Sequence, residues 1–206
     1  MAVIRLDMTV SLDGYVTGPR DGVDEPMGVG GFRLFNWLDR RDEPGPNRTV
    51  YRELLSTRAV ISGRRTYENA GKWGGDHHDG VPIFVLTHEV PAEPPPGSVR
   101  YVTDAGECAD QARAAAGNGD VMVHGAGAGQ ALLRAGQLDE LELHVVPVLL
   151  GQGRRLFDNL PPDHVELDLV RQLTPEVDDP AQRVTHLRYR LRDRLRYRLR
   201  DRLRDR

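Results

Sequence analysis

The chain has 206 residues, of which 39% are hydrophobic and 29% charged, and its formal net charge is −3. A chain of this length and composition predicts one globular domain with a sizeable core. The single cysteine, Cys108, excludes a disulfide framework and a zinc site built from cysteines. No run approaches the roughly 18 apolar residues of a membrane span. The first residues lack a signal-peptide pattern, so a cytoplasmic protein is expected.

The end of the chain is a repeat rich in arginine. Every even-numbered residue from 188 to 206 is arginine, and the sequence of 189–196 recurs at 197–204. Ten arginines and three aspartates give this segment a charge of +7, which leaves −10 on the remainder. One hypothesis is a stripe that binds nucleic acid or another acidic partner. The favoured alternative is a domain at 1–191 followed by an appendage, 192–206, that duplicates the last strand.

The hydrophobic pattern predicts strands that alternate with helices and then follow one another directly. Alternation at 4–10 predicts a first strand that ends in a Ser-Leu-Asp-Gly turn. A glycine-rich loop and a helical segment at 32–38 follow, and Asn47 is the expected N-cap of the next helix. Further strands are predicted at 59–62, 83–87, 99–103, 121–124, 141–150, 165–173 and 184–191, and helices at 108–116 and 130–135. This order predicts an α/β fold with a mixed, mostly parallel sheet of about eight strands.

Two junctions between a strand and a helix are suited to phosphate. In the first, Gly63-Arg64-Arg65-Thr66 follows a strand and begins a helix, where unpaired N–H groups and arginine side chains attract anions. An exposed basic turn with Thr66 as helix cap is an equal alternative. The second, Gly125-Ala126-Gly127-Ala128-Gly129-Gln130, lets the backbone approach a pyrophosphate, although it departs from the G-x-G-x-x-G fingerprint. Two such junctions in one small domain indicate a nucleotide cofactor.

Asp13 is the candidate catalytic carboxylate. It would orient the substrate or relay a proton beside a hydride transfer, and the alternative is a turn aspartate that bonds its own backbone. The aromatic side chains of Phe32, Phe35 and Trp37 would form the wall of a planar substrate or pack in the core.

The histidine pattern does not indicate a metal site. Asp76-His77-His78-Asp79 is interpreted as a solvated loop, because adjacent histidines do not easily chelate one ion and a spaced third ligand is missing. His124 lies next to the glycine turn, where it would touch the cofactor or line the cleft. His144 is expected to be a buried sheet residue with its polar atoms satisfied, and Cys108 a buried, unreactive thiol.

Several motifs occur in the order of a known family. They are Ser11-Leu12-Asp13-Gly14-Tyr15, Gly63-Arg64-Arg65-Thr66-Tyr67-Glu68, Pro82-Ile83-Phe84-Val85-Leu86-Thr87 and the block from Gly125 to Phe157. Over about residues 2–191 the chain resembles the dihydrofolate-reductase-like superfamily. Specifically, it is similar to the C-terminal reductase domain of the bifunctional riboflavin-biosynthesis deaminase–reductase.

The resemblance implies a three-layer α/β/α sandwich, an NADPH site and a homodimer. It implies cofactor contacts from Val10, Gly63, Arg64, Arg65, Thr66, Thr87, His88, Gly125, Ala126, Gly127, Ala128 and Gln130. Thr87 and His88 would lie near the adenosine 2′-phosphate. The substrate would contact Tyr15, Phe32, Phe35, Trp37 and Pro147. NADH or a deazaflavin in the same cleft remains an alternative.

The expected activity is NADPH-dependent hydride transfer to a small planar heterocycle, pyrimidine- or pteridine-like, or to a related carbonyl or imine. Dihydrofolate reductases place a pterin-binding carboxylate on their first long helix, whereas the segment 32–39 offers aromatics and only Asp39 at its end. The sequence therefore argues against folate reduction itself. The alternatives are a non-catalytic nucleotide-binding protein of the same fold and an arginine-tail nucleic-acid binder.

Overall fold

The computed structural model describes residues 2–93, 99–158, 160 and 164–192. Of the predicted tail, 192–206, all residues after Arg192 lie outside the described residues. The strands are β1 (Ile4–Ser11), β2 (Tyr15–Thr17), β3 (Ala59–Gly63), β4 (Ile83–Leu86), β5 (Val99–Val102), β6 (Val121–His124), β7 (Glu140–Val146), β8 (Arg154–Arg155), β9 (Leu167–Leu173) and β10 (Thr185–Leu191). The α-helices are α1 (Pro46–Leu55), α2 (Arg64–Asn69), α3 (Ala105–Ala116) and α4 (Ala126–Arg134). Three 3₁₀ helices cover Gly31–Arg40, Gly71–Gly75 and Pro180–Gln182.

Eight of the strands form one mixed sheet in the order β5-β4-β3-β6-β1-β7-β10-β9. The pairings from β5 to β7 are parallel, and β10 runs antiparallel to both of its neighbours. The predicted mixed, mostly parallel sheet is therefore confirmed. The short strands β2 and β8 pair separately in a second, antiparallel sheet that the sequence did not indicate.

Helices cover both faces of the large sheet because its central strands are apolar on both sides. On β3, Ile61 belongs to a core cluster with Cys108 of α3 and Leu132 of α4. Its neighbour Val60 points the other way and packs in a cluster with Tyr67 of α2. Successive side chains of a strand face opposite sides, so one apolar run supports two helical layers. The α/β/α sandwich follows from this pattern.

Cys108 is fully buried, as the sequence predicted. Burial raises the pKa of its thiol to about 12, so the thiol stays protonated at neutral pH.

Helix α3 begins at Ala105, three residues before its predicted start, with Asp104 as its N-cap. Three further predictions at element ends are wrong, each for a local reason. Asn47 is not an N-cap: Gly45 precedes α1, and the buried Asn47 side chain donates instead to the carbonyl of Trp37 at 3.1 Å. Strand β7 ends at Val146, because the backbone N–H groups of the next segment turn towards Asp13. Helix α4 begins at Ala126, so it takes in the glycine turn. Within the described ranges, no helix is long and apolar enough to cross a membrane.

Candidate functional site

The two glycine junctions form one site at the carboxyl-end edge of the sheet. The parallel pairing of β3 with β6 sets Ser62 opposite His124, so the chain leaves both strands side by side. Gly125 has φ +98°, and a Cβ built there would lie 2.4 Å from Oγ1 of Thr66. Such a φ favours glycine. Thr66 belongs to the first turn of α2, whose N-cap is Gly63, so Thr66 is not the cap itself.

The N-terminus of α4 is open to a ligand. The first turn of a helix leaves backbone N–H groups without intrahelical acceptors, here those of Ala126, Gly127 and Ala128. A Cβ on Gly127 would meet no atom within 4 Å, so open space adjoins this turn. The side-chain amide of Gln130, in the same helix, donates to the carbonyl of Leu156 at 2.9 Å. The turn can therefore hold an anion, while Gln130 connects α4 to the residue that follows β8.

The predicted adenosine end adjoins the first junction. β4 pairs with β3 so that Leu86 lies opposite Gly63, which brings Thr87 beside the start of α2. Thr87 is buried and its hydroxyl donates to the carbonyl of Glu89, whereas His88 is exposed. Arg64 is exposed and pairs with Glu68 at 2.8 Å, and this carboxylate raises the pKa of Arg64. Arg64 thus supplies a permanent positive charge at this end.

A cavity of about 360 Å³ opens beside the second junction, between the sheet, α1 and the 3₁₀ helix Gly31–Arg40. Its volume is in the range of small-molecule sites. Its walls are mostly apolar and include Val16, Met27, Phe35, Trp37, Leu54 and Trp73. Its polar groups include Asp7, Thr17, Arg65, Thr66, His77 and His124.

Seven of the residues predicted from the sequence line this cavity: Phe35, Trp37, Arg65, Thr66, His124, Gly125 and Ala126. Four residues predicted to contact the nicotinamide or the substrate do not. Val10 is buried in the core on the α3–α4 side. Tyr15 is buried with its hydroxyl 3.0 Å from Arg155, and Phe32 is 58% exposed. Pro147 lines a separate cavity of about 530 Å³ together with Leu12.

Asp13, the predicted catalytic carboxylate, also lies outside the cavity lining. Its Oδ1 accepts hydrogen bonds from the Ser11 hydroxyl at 2.6 Å and from the N–H of Leu150 at 3.1 Å, and Oδ2 accepts from Gly151 at 2.7 Å. The bond from Ser11, followed by those from the two backbone N–H groups, lowers the pKa of Asp13 to about 2. The carboxylate therefore joins the first turn to the segment after β7.

The polar floor of the cavity was not predicted from the sequence. Asp7 on β1 and His144 on β7 both line it, and His144 Nε2 is 3.2 Å from Asp7 Oδ1. The alternation of β1 could have indicated this floor, because Asp7 and Thr9 lie on the face of the strand opposite to that of Leu6. Thr9 is paired with His144 in the register, so these polar residues meet at one point.

The loop 76–79 is solvated only at its two aspartates. His78 is buried and its ring contacts the carbonyl of Thr57 at 3.1 Å. His77 lines the cavity, 4.7 Å from Trp73 and 5.1 Å from His124 between ring centroids. Burial lowers the pKa of His77 to about 3, so its imidazole is neutral at pH 7. Among the described residues, no group of three or more histidine, cysteine or acidic side chains is arranged to hold a metal ion.

The fold is that of the dihydrofolate-reductase-like proteins. A crystal structure of a protein from Shewanella sp. PV-4, provisionally described as a riboflavin biosynthesis protein, matches with a TM-score of 0.68 at 21% identity. The match covers 93% of this chain and 99% of that one. Dihydrofolate reductase from Enterococcus faecalis, solved with NADP(H) and RAB-propyl, matches with a TM-score of 0.59 at 14% identity, covering 93% of this chain and 97% of that one.

The sequence defines the family within this fold. The family model of the RibD C-terminal domain matches residues 2–177, so the chain belongs to that family. The family is the reductase domain of riboflavin biosynthesis, which supports an oxidoreductase. A comparison with curated proteins gives no significant match.

Proposed function

We propose that the protein is an NADPH-dependent reductase that transfers a hydride to a small planar heterocycle, pyrimidine- or pteridine-like, or to a related carbonyl or imine. The observation that carries this proposal is the position of the cavity directly beside the joined glycine junctions. Thr66, Gly125 and Ala126 belong to both features. A dinucleotide on the junctions would therefore have one end at the cavity, which is where a hydride donor is needed.

The residues present fit such a cofactor. Gly63, Arg65 and Thr66 with the first turn of α4 would hold the pyrophosphate, because N–H groups at helix starts and a guanidinium favour phosphate. Arg64, Thr87 and His88 would lie at the adenosine 2′-phosphate. A bound reduced nicotinamide supplies the hydride. The strands β4, β3, β6 and β1 are neighbours in the sheet, so their carboxyl ends give one continuous edge for the dinucleotide.

The cavity supports a planar, partly polar substrate. Phe35, Trp37 and Trp73 offer aromatic surfaces in a cavity of about 360 Å³, which is large enough for a small heterocycle. Thr17 lines the cavity and is 9% exposed, and its hydroxyl has no hydrogen-bond partner among the described residues. A buried hydroxyl without a partner is costly. A polar atom of the substrate would satisfy it.

Titration of the full-length protein with NADPH and with NADH, followed by cofactor fluorescence, tests the cofactor site. We expect micromolar binding with a preference for NADPH. Arg64→Ala should weaken NADPH binding about tenfold or more and NADH binding much less, since a charge-assisted hydrogen bond contributes about 1.5–3 kcal/mol. The matched control is Arg40→Ala, which removes an arginine that pairs with Glu43 and does not line the cavity. Absence of binding to either cofactor would reject the proposal.

Turnover separates the proposed reductase from its first alternative. Consumption of NADPH with a pyrimidine or pteridine substrate supports the reductase, whereas tight NADPH binding without turnover across such a panel favours a non-catalytic nucleotide-binding protein. Nucleic-acid binding through the tail, the homodimer and the cytoplasmic location stay predictions. The tail hypothesis requires salt-dependent binding that is lost when 192–206 is removed.

A further inference from the structure

Four buried side chains form a continuous chain of short contacts that ends at the cavity. Asp7 Oδ1 is 3.2 Å from His144 Nε2, and His144 Nδ1 is 2.7 Å from His186 Nδ1. His186 Nε2 is 2.9 Å from Asn47 Oδ1. The four residues come from β1, β7, β10 and α1, and each is at most 7% exposed. Asp7 and His144 line the cavity, whereas His186 and Asn47 lie behind them.

Counting hydrogen atoms along this chain fixes its protonation. The Asn47 amide donates to the Trp37 carbonyl, which can only accept, so Asn47 Oδ1 must face an N–H of His186. The Asp7 carboxylate at the other end also only accepts. Three contacts therefore need three hydrogens, while two neutral imidazoles bring two. The cluster holds one proton more than a carboxylate with two neutral histidines.

The electrostatics locate this additional proton. Burial lowers the pKa of His186 to about 3, so His186 is neutral and its Nδ1 accepts from His144 Nδ1–H. Burial by itself would raise the pKa of Asp7, but charge attraction and hydrogen bonding by His144 outweigh it and hold that pKa below its usual range. The remaining hydrogen therefore lies in the contact between Asp7 Oδ1 and His144 Nε2.

The charges of the other groups around the cluster largely cancel one another. Arg5 and His124 act on Asp7, and Arg171 acts on His186. Arg171 and its neighbour Arg188 are themselves paired with the carboxylates of Glu53 and Glu142. The proton on the Asp7–His144 pair is therefore retained by the cluster's own hydrogen bonds rather than by an excess of negative charge.

We propose that Asp7 and His144 are the proton donor of this reductase, and that His186 and Asn47 are positioning residues that keep the proton on the pair. This inference rests on the proposed function. A hydride brings two electrons and forms the new C–H bond, so the heteroatom of the reduced C=N or C=O needs one proton. The pair delivers it through Asp7, leaving a carboxylate and a neutral His144. One contact of the chain then lacks a hydrogen, and uptake of a proton from solvent restores it.

Asp7→Asn tests the protonation without any ligand. The amide introduced by this substitution can donate to Nε2 of a neutral His144, so all three contacts keep a hydrogen and the fold is preserved. ¹⁵N NMR of the imidazoles should find both His144 nitrogens protonated in the wild type at pH 7, and Nε2 unprotonated in Asp7→Asn. The control is Asp120→Asn, which removes a carboxylate paired with Arg5 at the opposite end of the sheet and should leave the His144 signals unchanged. The inference would be overturned if His144 were neutral in the wild type, or if its protonation were the same in Asp7→Asn as in the wild type.

Kinetics test the delivery of the proton. Asp7→Asn should lower kcat about a hundredfold or more, as expected for loss of a general acid, while NADPH affinity and KM change little. Asn47→Ala should shift the pH profile of kcat, which a purely structural residue would not do. Unchanged kcat in Asp7→Asn would overturn the donor role. If the wild type binds no NADPH, the proposed function fails by that titration, and the NMR result still decides the protonation of the cluster.

Discussion

Thr66 lies directly over Gly125. A Cβ added to Gly125 would lie 2.4 Å from Oγ1 of Thr66 and 3.1 Å from Cβ of Thr66. The hydroxyl-bearing turn of α2 and the glycine turn before α4 are therefore packed face to face, although 59 residues separate them along the chain. This contact makes one candidate phosphate site from two sequence motifs. Two of the three glycines in the second motif differ in their surroundings, because Gly125 is enclosed by Thr66 whereas Gly127 adjoins open space.

Gly125→Ala should damage both fold and binding. The backbone has φ +98° and the new methyl group would press on Thr66. Strain of this kind costs about 1–3 kcal/mol, so urea unfolding should report a loss of that size, and NADPH binding should weaken because the junctions separate.

Gly127→Ala should separate the two effects. Its methyl group enters open space, and alanine stabilises a helix over glycine by up to about 1 kcal/mol. We expect stability equal to or above the wild type but weaker NADPH binding, since the methyl group occupies the space proposed for the pyrophosphate. Unchanged binding in this variant, measured by the same titration, would argue that the cofactor lies elsewhere.

Asp13→Asn should alter acid stability more than catalysis. The folded pKa of Asp13 is about 2 against an ordinary 3.8. The carboxylate therefore stabilises the fold above pH 4, and this contribution is lost as the pH falls from about 4 towards 2. Melting temperatures across this range should fall less steeply for Asp13→Asn than for the wild type, from a lower value at pH 7.

The same variant decides between the two interpretations of Asp13. A structural carboxylate predicts a turnover within a fewfold of the wild type at a temperature where both proteins are folded. A loss of kcat of a hundredfold or more, with the fold intact, would instead support the catalytic role that the sequence suggested.

His77→Phe should reduce the destabilisation of the protein by mild acid. The folded pKa of His77 is about 3 because burial, followed by the charges of His124 and His78, disfavours the imidazolium. The unfolded chain binds this proton near pH 6.5, so the wild type loses stability as the pH falls from 6.5. Phenylalanine has no group that binds a proton in the unfolded chain, and its ring can still pack against Trp73. Urea unfolding at pH 7 and pH 5 should give a smaller difference for the variant; an equal difference would contradict the assignment.

The sequence was sufficient for the fold because the apolar pattern and the glycine junctions are local signals. Strand β3 is apolar on both faces, and Gly125 marks a backbone that only glycine adopts easily. The ordered motifs also identified the family, which residues 2–177 confirm. In contrast, the two-residue strand β8 leaves no periodic signal, and its pairing with Tyr15 depends on a partner 140 residues away.

The cavity was less predictable than the fold, because it depends on which face of each strand is turned towards α1. Asp7, His144 and His186 are far apart in the sequence, and each alone looks like an isolated polar residue in an apolar strand. Their contacts follow only from the register that sets Asp7 on β1 beside β7, and β7 beside β10. Asp13, in contrast, was conspicuous because the Ser-Leu-Asp-Gly turn is a local motif that can be recognised without knowing the strand register.

Glu142→Gln should cost far more stability than the loss of an exposed acidic residue. The Glu142 side chain is 1% exposed and pairs with Arg171 and Arg188, which share Glu53 as their other partner. Removing one charge from a buried network leaves its cations under-compensated and costs about 3–5 kcal/mol. The control, Glu43→Gln, breaks an exposed pair with Arg40 and should cost at most about 1 kcal/mol. Urea unfolding of both variants at pH 7 measures the difference, and equal losses would mean that the buried network adds nothing beyond a surface pair.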